Sequence, residues 1–266
     1  MNLELDGKHV LVTGASKGIG YACALGFLQE GARVSLVSRS EDGLKLAASS
    51  LQQVLPEASW RIAFFAADLQ DAAAAQAALD AVEAAHGPVD ILVNCAGAAK
   101  RTAPADLHPQ AWHDAMQAKY FTYIHMMDPL VKRMGQRGSG VIINIVGAGG
   151  KVANPTHLAG GAANAALMLV SAGLAAAYAS KGVRINALNP GQVLTERLRA
   201  RLDAETRLAQ TEGRPEPGRP GVNLPLGRPA EPEEIANVAV FLASPRASYV
   251  TGAIVAMDGA NTPMVV

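Results

Sequence analysis

Short apolar runs alternate along most of the chain with longer segments that have the 3.6-residue period of a helix. Seven runs have the length of a buried strand, at residues 10–12, 34–37, 62–66, 91–94, 141–146, 183–188 and 253–257. The helical segments lie at 19–29, 43–55 and 72–85, in a long segment through 134, in the Ala- and Gly-rich stretch after Pro155, and at 231–242. Continuous apolar strands separated by helices indicate a parallel sheet covered on both faces, because helical crossovers join parallel neighbours. The pattern therefore predicts the α/β class, with a doubly wound, seven-stranded parallel sheet.

One segment, at about residues 195–229, breaks this alternation. Between Gly213 and Pro229 it contains five of the fifteen prolines and four glycines, which excludes regular structure. The segment lies between the sixth strand and the last helix, where it is placed to form a lid over a crevice. A solvated surface excursion explains the composition equally well. No internal repeat and no second domain are visible, so residues 1–266 are predicted to form a single domain.

The chain carries 23 Lys and Arg against 23 Asp and Glu, and this zero net charge argues against nucleic acid or a membrane surface as a partner. Cys23 and Cys95 are too few for a disulfide framework and lack metal-ligand spacing, so we expect a cytoplasmic protein with no metal site. No signal peptide is apparent at the N-terminus. Residues 158–178 are long enough to span a membrane, but they consist mainly of Ala and Gly and include Asn164 and Ser171. We expect them to form a soluble helix packed closely against another helix.

A glycine-rich loop follows the first strand and opens the first helix. It reads Thr13-Gly14-Ala15-Ser16-Lys17-Gly18-Ile19-Gly20. Gly14 permits a tight turn, Gly18 lets the backbone approach a pyrophosphate, and Gly20 allows the helix to pack closely. The helix N-terminus adds unpaired N–H groups and the positive end of the helix dipole. In this position within a βαβ unit, the loop predicts a dinucleotide-binding site.

The residues after the second strand indicate which nicotinamide dinucleotide the site prefers. An acidic residue there would accept the ribose hydroxyls and repel a 2′-phosphate, but this chain has Ser38 followed by Arg39. Arg39 and Lys17 can both reach a 2′-phosphate, and Arg offers two parallel donors to it. The sequence therefore predicts NADP(H) over NAD(H). The alternative is that both side chains are solvated surface cations.

Five motifs, in the same order, resemble the short-chain dehydrogenase/reductase family over essentially the whole chain. They are the glycine loop, Asp68-Leu69, Asn94-Cys95-Ala96-Gly97, Asn189-Pro190-Gly191 and Thr195. The resemblance implies a single-domain Rossmann fold, usually in a tetramer, with adenine contacts at Asp68-Leu69 and nicotinamide contacts in the loop near Thr195. With the residues above it gives this coenzyme-binding set: Gly14, Ser16, Lys17, Gly18, Ile19, Gly20, Ser38, Arg39, Asp68, Leu69, Asn94, Ala96, Gly97, Pro190, Gly191, Val193 and Thr195.

The same resemblance places the family's acid–base residues at positions where this chain lacks them. Members use a Tyr, a Lys four residues later that lowers the Tyr pKa, a Ser thirteen residues before the Tyr, and an Asn on the preceding long helix. Aligned without a gap, this chain has Gly160, Asn164, Gly147 and Lys119 at those four positions. None of its five tyrosines is followed by a lysine at the fourth residue, so Tyr-x-x-x-Lys is absent in every register.

Two functions are compatible with this loss. In the first, the chain is an NADP(H)-binding protein that does not turn over ordinary alcohols or ketones and serves as a non-catalytic subunit, because general acid–base catalysis is removed. In the second, it is an oxidoreductase with relocated groups that acts on an activated C=C or carbonyl substrate. Lys119 would polarise a carbonyl or enolate oxygen, and His157 would shuttle the proton. Tyr120 and Lys151 are weaker candidates, and non-redox chemistry in the same crevice is a third alternative.

Assembly is predicted from the small-residue helix after Pro155. The residues that share one face of it at helical spacing are Ala162, Ala165, Ala166, Leu169 and Gly173. Small residues let two helices approach closely. We therefore expect a homo-oligomer, either a dimer or a tetramer, or a hetero-oligomer with an active paralogue.

Overall fold

The structure is a computed structural model that describes residues 1–97, 100–196, 198–199, 202 and 221–264. Its strands are β1 (His9–Thr13), β2 (Arg33–Ser38), β3 (Ile62–Ala66), β4 (Ile91–Asn94), β5 (Gly140–Ile145), β6 (Val183–Pro190) and β7 (Ile254–Met257). Its helices are α1 (Gly18–Gln29), α2 (Glu41–Val54), α3 (Ala72–His86), α4 (Pro109–Ala115), α5 (Thr122–Arg137), α6 (Leu158–Tyr178) and α7 (Pro232–Ala243). A π-helical turn, Met116–Phe121, joins α4 to α5.

The seven strands are parallel and form one sheet in the order β3-β2-β1-β4-β5-β6-β7. The order reverses between β1 and β4, so a crevice opens above the carboxyl ends of these two strands. Thr13 ties them together there, because its Oγ1 accepts hydrogen bonds from the N–H groups of Cys95 (3.0 Å) and Ala96 (3.1 Å). The predicted doubly wound sheet is confirmed, and each strand bound lies within two residues of its prediction.

Two apolar layers cover the sheet. On one face α1 and α7 pack side by side, and Gly26 permits this contact because a Cβ there would lie 3.2 Å from Val240 Cγ2. On the other face α3 and α5 pack on each other and on the sheet through buried side chains such as Leu79 and Met126. Because the strands are covered on both sides, their nearly continuous apolar runs follow from the architecture.

The long helical segment predicted through residue 134 is interrupted near its middle. Helix α4 gives way to the π-helical turn, which carries Lys119, and α5 follows. Gly97, with a φ of +111°, lies against this turn, and a Cβ there would be 2.5 Å from the Ala118 carbonyl oxygen. The loop after β4 therefore approaches the turn as closely as backbone atoms allow. π-helical turns are rare and occur often at functional sites, which makes the surroundings of Lys119 of interest.

Helix α6 accounts for the apolar, small-residue composition noted in the sequence. With its flanking turns, Pro155–Lys181, it is long and apolar enough to cross a membrane by length and composition alone. One of its faces, however, is buried against β6 and the loop after β5. A Cβ on Gly150 would lie 2.7 Å from the Ala165 nitrogen, and one on Gly161 would lie 2.7 Å from the Gly149 oxygen. The small residues thus let a loop rest directly on the helix backbone.

The lid predicted at about residues 195–229 lies mostly outside the described residues. The described residues just before and just after this segment are hydrogen-bonded to each other. The Leu194 N–H donates to the Ala230 carbonyl at 2.8 Å, and the Ala230 N–H donates to the Gln192 carbonyl at 2.9 Å. The described residues at the two ends of the segment therefore lie side by side after β6. Its role as a lid stays a prediction.

Candidate active site

The glycine-rich loop between β1 and α1 has the backbone shape that a pyrophosphate site needs. Gly14 and Gly18 have φ angles of +66° and +58°. A Cβ on Gly14 would lie 2.9 Å from the Ala96 backbone, and one on Gly20 would collide with the Gly14 carbonyl oxygen. Lys17 is the N-cap of α1 and makes no side-chain hydrogen bond to it, so no cap side chain covers the first N–H groups of the helix. These donors, at the positive end of the helix dipole, fit a dinucleotide pyrophosphate.

The loop after β6 reaches the same cradle. Thr195 Cγ2 lies 3.3 Å from the position that a Cβ on Gly18 would take, so the two loops touch. Pro190 and Val193 are buried beneath this contact. Gly191 approaches the loop after β7 so closely that a Cβ there would lie 2.9 Å from a side chain of that loop. The structure therefore brings together the predicted coenzyme residues of the first and sixth strand ends.

The residues predicted to bind a 2′-phosphate lie on the rim of this cradle. Ser38, at the end of β2, is half-buried, and Arg39 is exposed. Lys17 is exposed and its ammonium lies 3.9 Å from the Glu196 carboxylate. At this distance, and between two exposed groups, the ion pair is weak. Both cations therefore remain accessible to an anionic group at the end of β2.

The other predicted coenzyme residues differ in their exposure. Those that remain at least partly exposed along the rim are Ser16, Ile19, Asp68, Ala96 and Gly97. Leu69 is buried after β3. Asn94 is fully buried, and its Nδ2 donates to Asn144 Oδ1 at 3.0 Å. The Asn94 side chain thus links β4 to β5 inside the sheet instead of facing the crevice.

The positions at which the family resemblance places Ser, Tyr and Lys lie together at the floor of the crevice. Gly147 follows β5 and has a φ of +118°. Gly160 and Asn164 are both buried in the first two turns of α6. A Cβ on Gly147 would lie 3.4 Å from Asn164 Nδ2, so the first and third of these positions are in contact distance. The floor therefore brings the first and third of these positions together, and neither carries the side chain that the resemblance implies.

Lys119 lies beside this floor, in the π-helical turn, and is only 7 % exposed. Its ammonium donates to Tyr123 Oη at 2.7 Å and to the Ile145 carbonyl at 3.1 Å. It also lies 4.3 Å from the centre of the Tyr123 ring. The Tyr123 hydroxyl donates to the same carbonyl at 2.5 Å. Burial raises the pKa of Tyr123 well above its usual value of 10, so this hydroxyl stays protonated and holds the ammonium in place.

This pair has a sequence signal that the family's pattern does not include. Lys119 is followed four residues later by Tyr123, the reverse of Tyr-x-x-x-Lys. Either order places an ammonium and a phenol on one face of a helix. A search for Tyr followed by Lys overlooks it, whereas a search for either order finds it.

His157 precedes α6 and borders the same space. Its Cδ2 lies 3.0 Å from the position of a Cβ on Gly149, and Asn164 Nδ2 lies 3.8 Å from that position. The Nδ1 atom of His157 is buried and has no hydrogen-bond partner among the described residues. Arg101 lies close by, because its guanidinium donates at 3.3 Å to Oγ1 of Thr156, the residue before His157. The imidazole therefore lies beside the crevice floor and near a positive charge.

The electrostatic surroundings favour the neutral form of this imidazole. Burial lowers the pKa of His157 below its usual 6.5, and the positive charges of Arg101 and Lys119 lower it further. The imidazole is therefore predominantly neutral at pH 7. The two weaker candidates, Tyr120 and Lys151, are half-buried, and Tyr120 packs edge-on against a neighbouring phenyl ring.

The sequence is similar to those of reductases and dehydrogenases. A family model described as Enoyl-(Acyl carrier protein) reductase matches residues 14–261. The D-threitol dehydrogenase of Mycolicibacterium smegmatis is 37 % identical over 261 residues, which cover 98 % of this chain and 95 % of that protein. The galactitol 2-dehydrogenase (L-tagatose-forming) of Cereibacter sphaeroides is 38 % identical over 265 residues, which cover 97 % of this chain and 96 % of that protein.

Solved structures share the fold over the full length. One is an NADPH-bound short chain oxidoreductase from Pseudomonas aeruginosa, described as containing an atypical catalytic center. It is 30 % identical, with a TM-score of 0.86 and coverage of 98 % of this chain and 99 % of that one. Another is the L-sorbose reductase of Gluconobacter frateurii complexed with NADPH and L-sorbose, which is 30 % identical, with a TM-score of 0.90 and coverage of 100 % of both chains. By its motifs, its fold and these similarities, the chain belongs to the short-chain dehydrogenase/reductase family of oxidoreductases.

Proposed function

We propose that this protein is an NADP(H)-dependent oxidoreductase whose proton-transfer groups have moved from the positions that the family uses. One observation carries the proposal. At the crevice floor Asn164 and His157 lie against the loop of Gly147 and Gly149, and Lys119 is bound to the Ile145 carbonyl at the start of the same loop, while the glycine cradle is intact. Such a floor retains groups that can hold a carbonyl and move a proton, although none of them is a Tyr, Ser or Lys at the expected position.

The coenzyme preference rests on the chain's own backbone and cations. The N-terminus of α1 and the backbone of Gly14 and Gly18 would hold the pyrophosphate, and Lys17 and Arg39 would hold a 2′-phosphate. Two structurally similar proteins contain NADPH, which supports the same choice here. When bound, the reduced coenzyme supplies a hydride to the substrate. We therefore propose NADP(H), with preference over NAD(H).

We assign proton transfer to His157. In reduction the substrate's carbonyl carbon accepts the hydride, the C=O electron pair moves to oxygen, and a proton from the His157 imidazolium completes the alcohol. In oxidation the neutral imidazole accepts that proton, and its lowered pKa makes the neutral form prevalent at pH 7. Lys119 contributes a fixed positive charge near the floor, which favours the developing alkoxide.

Small polyhydroxylated ketones and alcohols are the substrate class that we propose. Two relatives, at 37 % and 38 % identity, are named for threitol and galactitol, and one structural neighbour is complexed with L-sorbose. The description of the family model points instead to a conjugated C=C, whose reduction also needs one hydride and one proton. Both chemistries can therefore be tested on the same site.

A non-catalytic subunit, the other function considered from the sequence, receives no support from the comparisons. The two sequence relatives described above are named as dehydrogenases. The Pseudomonas aeruginosa oxidoreductase, described with an atypical catalytic center, supports departure from the usual residues within this fold. We therefore favour turnover, of ketones among other substrates, over the inactivity that the missing Tyr and Lys alone suggest.

Coenzyme binding and turnover are measured separately to test the proposal. NADPH and NADH are titrated by fluorescence, and NADPH oxidation is then followed with L-sorbose, L-tagatose and a crotonyl thioester. We expect tighter binding of NADPH and a loss of turnover of about 10²-fold or more in His157→Gln, with unchanged NADPH affinity. His113→Gln, which changes an exposed histidine on α4, is the matched control. Absence of NADPH binding, or full turnover in His157→Gln, contradicts the proposal.

The pH profile tests the role of His157 independently. Because reduction needs the imidazolium, the reductive rate should fall as pH rises through the lowered pKa of His157, below 6.5, while the oxidative rate rises. Arg101→Gln removes a neighbouring positive charge and so raises the pKa of His157. The pH dependences of the reductive and the oxidative rate should therefore both move to higher pH. Profiles that do not move in Arg101→Gln, or that persist in His157→Gln, contradict the assignment.

A further inference from the structure

Asn164 is a buried amide whose hydrogen-bonding capacity is unused within the described protein. It lies on α6 and is 6 % exposed, its side chain forms no hydrogen bond with any described residue, and its amide atoms retain contact with solvent. Water can complete the hydrogen bonds of such an amide, and a ligand group that displaces this water gains affinity only by reproducing them. An unpaired donor and acceptor at the floor of a crevice therefore mark a position where a polar group of a ligand binds.

The amide is directed toward the two glycines of the floor. Its Nδ2 atom lies 3.4 Å from the position of a Cβ on Gly147 and 3.8 Å from that of a Cβ on Gly149. Neither glycine has a side chain that could accept a hydrogen bond from the amide. The His157 ring borders the same space, with Cδ2 3.0 Å from the Gly149 position. The donor of Asn164 and the imidazole of His157 therefore face one small volume.

We propose that Asn164 is a catalytic residue whose Nδ2–H donates a hydrogen bond to the reacting oxygen of the substrate. It would thereby hold the carbonyl, the task that the family resemblance gives to a Ser at position 147. This inference rests on the proposed function and deepens it by naming the group that binds the reacting oxygen. The amide donor polarises the C=O bond and stabilises the oxygen as negative charge develops on it.

The donor and the acceptor atom of the Asn164 amide together restrict the class of substrate that can bind. Nδ2 is a donor and Oδ1 an acceptor, so one amide edge can pair with a carbonyl oxygen and with a hydroxyl on the adjacent carbon. A ketone flanked by a hydroxyl satisfies both ends, whereas a simple ketone satisfies only one. Among the substrates considered above, hydroxy ketones are therefore the class that Asn164 selects.

Two substitutions at Asn164 and one control separate this role from a structural one. Asn164→Leu removes both polar atoms, and Asn164→Asp keeps the shape but replaces the donor by a carboxylate oxygen. The control is Asn144→Leu, because Asn144 is also a buried amide but has partners: its Oδ1 accepts from Asn94 at 3.0 Å and its Nδ2 donates to Ser171 Oγ at 2.9 Å. Removing a paired amide leaves its partners unsatisfied, which removing an unpaired amide does not.

The binding probe is dihydroxyacetone in the presence of NADP⁺, a combination in which both partners are oxidised and no turnover occurs. Its Kd is measured by saturation-transfer NMR, next to the urea unfolding midpoint and the NADPH affinity of each variant. We expect Asn164→Leu to match or exceed the wild-type midpoint, to bind NADPH normally, and to bind dihydroxyacetone about tenfold more weakly. Asn164→Asp should lose the same binding, and Asn144→Leu should lose stability.

Two results overturn the inference: destabilisation of Asn164→Leu comparable to that of Asn144→Leu, or wild-type affinity for dihydroxyacetone in both Asn164 variants. Wild-type protein that binds NADP⁺ but not dihydroxyacetone also overturns it. Because the probe does not react, these outcomes are independent of turnover. A protein that binds the ketone through Asn164 but reduces no substrate would sustain the inference and refute the proposed function.

Discussion

Gly147→Ser is the substitution that tests most directly why the family's side chains are missing here. Gly147 has a φ of +118° and a ψ of 145°, close to a backbone region that essentially only glycine adopts. A Cβ at this residue would lie 3.4 Å from Asn164 Nδ2, which is an ordinary van der Waals distance. The obstacle to a Ser is therefore backbone conformation, not space.

Such a backbone conformation costs a non-glycine residue about 1–3 kcal/mol. We expect Gly147→Ser to lower the free energy of unfolding by about 2 kcal/mol, which with a urea slope of about 3 kcal/mol/M lowers the midpoint by about 0.7 M. Gly87→Ser should lose a similar amount, since Gly87 has a φ of +80° with no atom within 4 Å of a Cβ.

The same strain affects any attempt to rebuild the usual centre. A variant that combines Gly147→Ser, Gly160→Tyr, Asn164→Lys and Lys119→Asn carries all four side chains that the family uses. To accept the Ser at position 147, however, the loop after β5 must leave its observed conformation. We therefore expect the combined variant to be less stable than wild type and not to gain the usual activity, because groups that act as a unit need their geometry as well as their identity. A Gly147→Ser variant as stable as the wild type would refute the reasoning.

Three further outcomes follow from the structure. Arg39→Asp should reverse the preference for NADPH over NADH in a fluorescence titration, and an unchanged preference would show that Arg39 is only a surface cation. Leu169→Glu places a charge on the outer face of α6, where Leu169 is 76 % exposed, so light scattering should show monomers where the wild type is oligomeric; a monomeric wild type contradicts the predicted assembly. Burial lowers the pKa of His9 below 6.5 in the folded protein. As the pH falls, His9 is therefore protonated in the unfolded chain before it is protonated in the folded one, and stability should be lost below pH 6.5. Urea midpoints at several pH values should show a smaller acid loss in His9→Gln than in wild type or His113→Gln, and equal losses contradict the assignment.

The sheet, its strand order and the coenzyme cradle were predictable because each leaves a local trace. A strand buried on both faces is a continuous apolar run, and a crossover helix has its own period. Gly14 and Gly20 lie where two backbone segments are in close contact and a Cβ would not fit. Their spacing in the sequence therefore predicts the turn directly. In each case a few neighbouring residues determine the structure, and a short segment of sequence contains the whole signal.

The crevice floor was less predictable, because it is built from residues far apart in the chain. Lys119 was found as a departure from the family pattern, but its partners, the Tyr123 hydroxyl and the Ile145 carbonyl, required the π-helical turn and the end of β5 to be placed together. The sequence alone identifies Asn164 only as a residue in the place of a Lys. Its importance depends on an absence of partners, which no sequence pattern reports. The buried position of Asn94 is a similar case, because its bond to Asn144 depends on which strands become neighbours.

The glycines around the floor suggest that the missing side chains and the new arrangement are one structural change. With Gly150 and Gly161 the loop after β5 rests directly on α6, as close as backbone atoms allow. A positive φ at Gly147 and the close contact of Gly149 with His157 belong to the same loop path. A Ser at 147 is strained on that path, whereas an imidazole at 157 borders it. The loop conformation therefore disfavours part of the family's usual set and at the same time brings His157 to the reacting space, so the residues that replace the usual centre are those that this backbone can present.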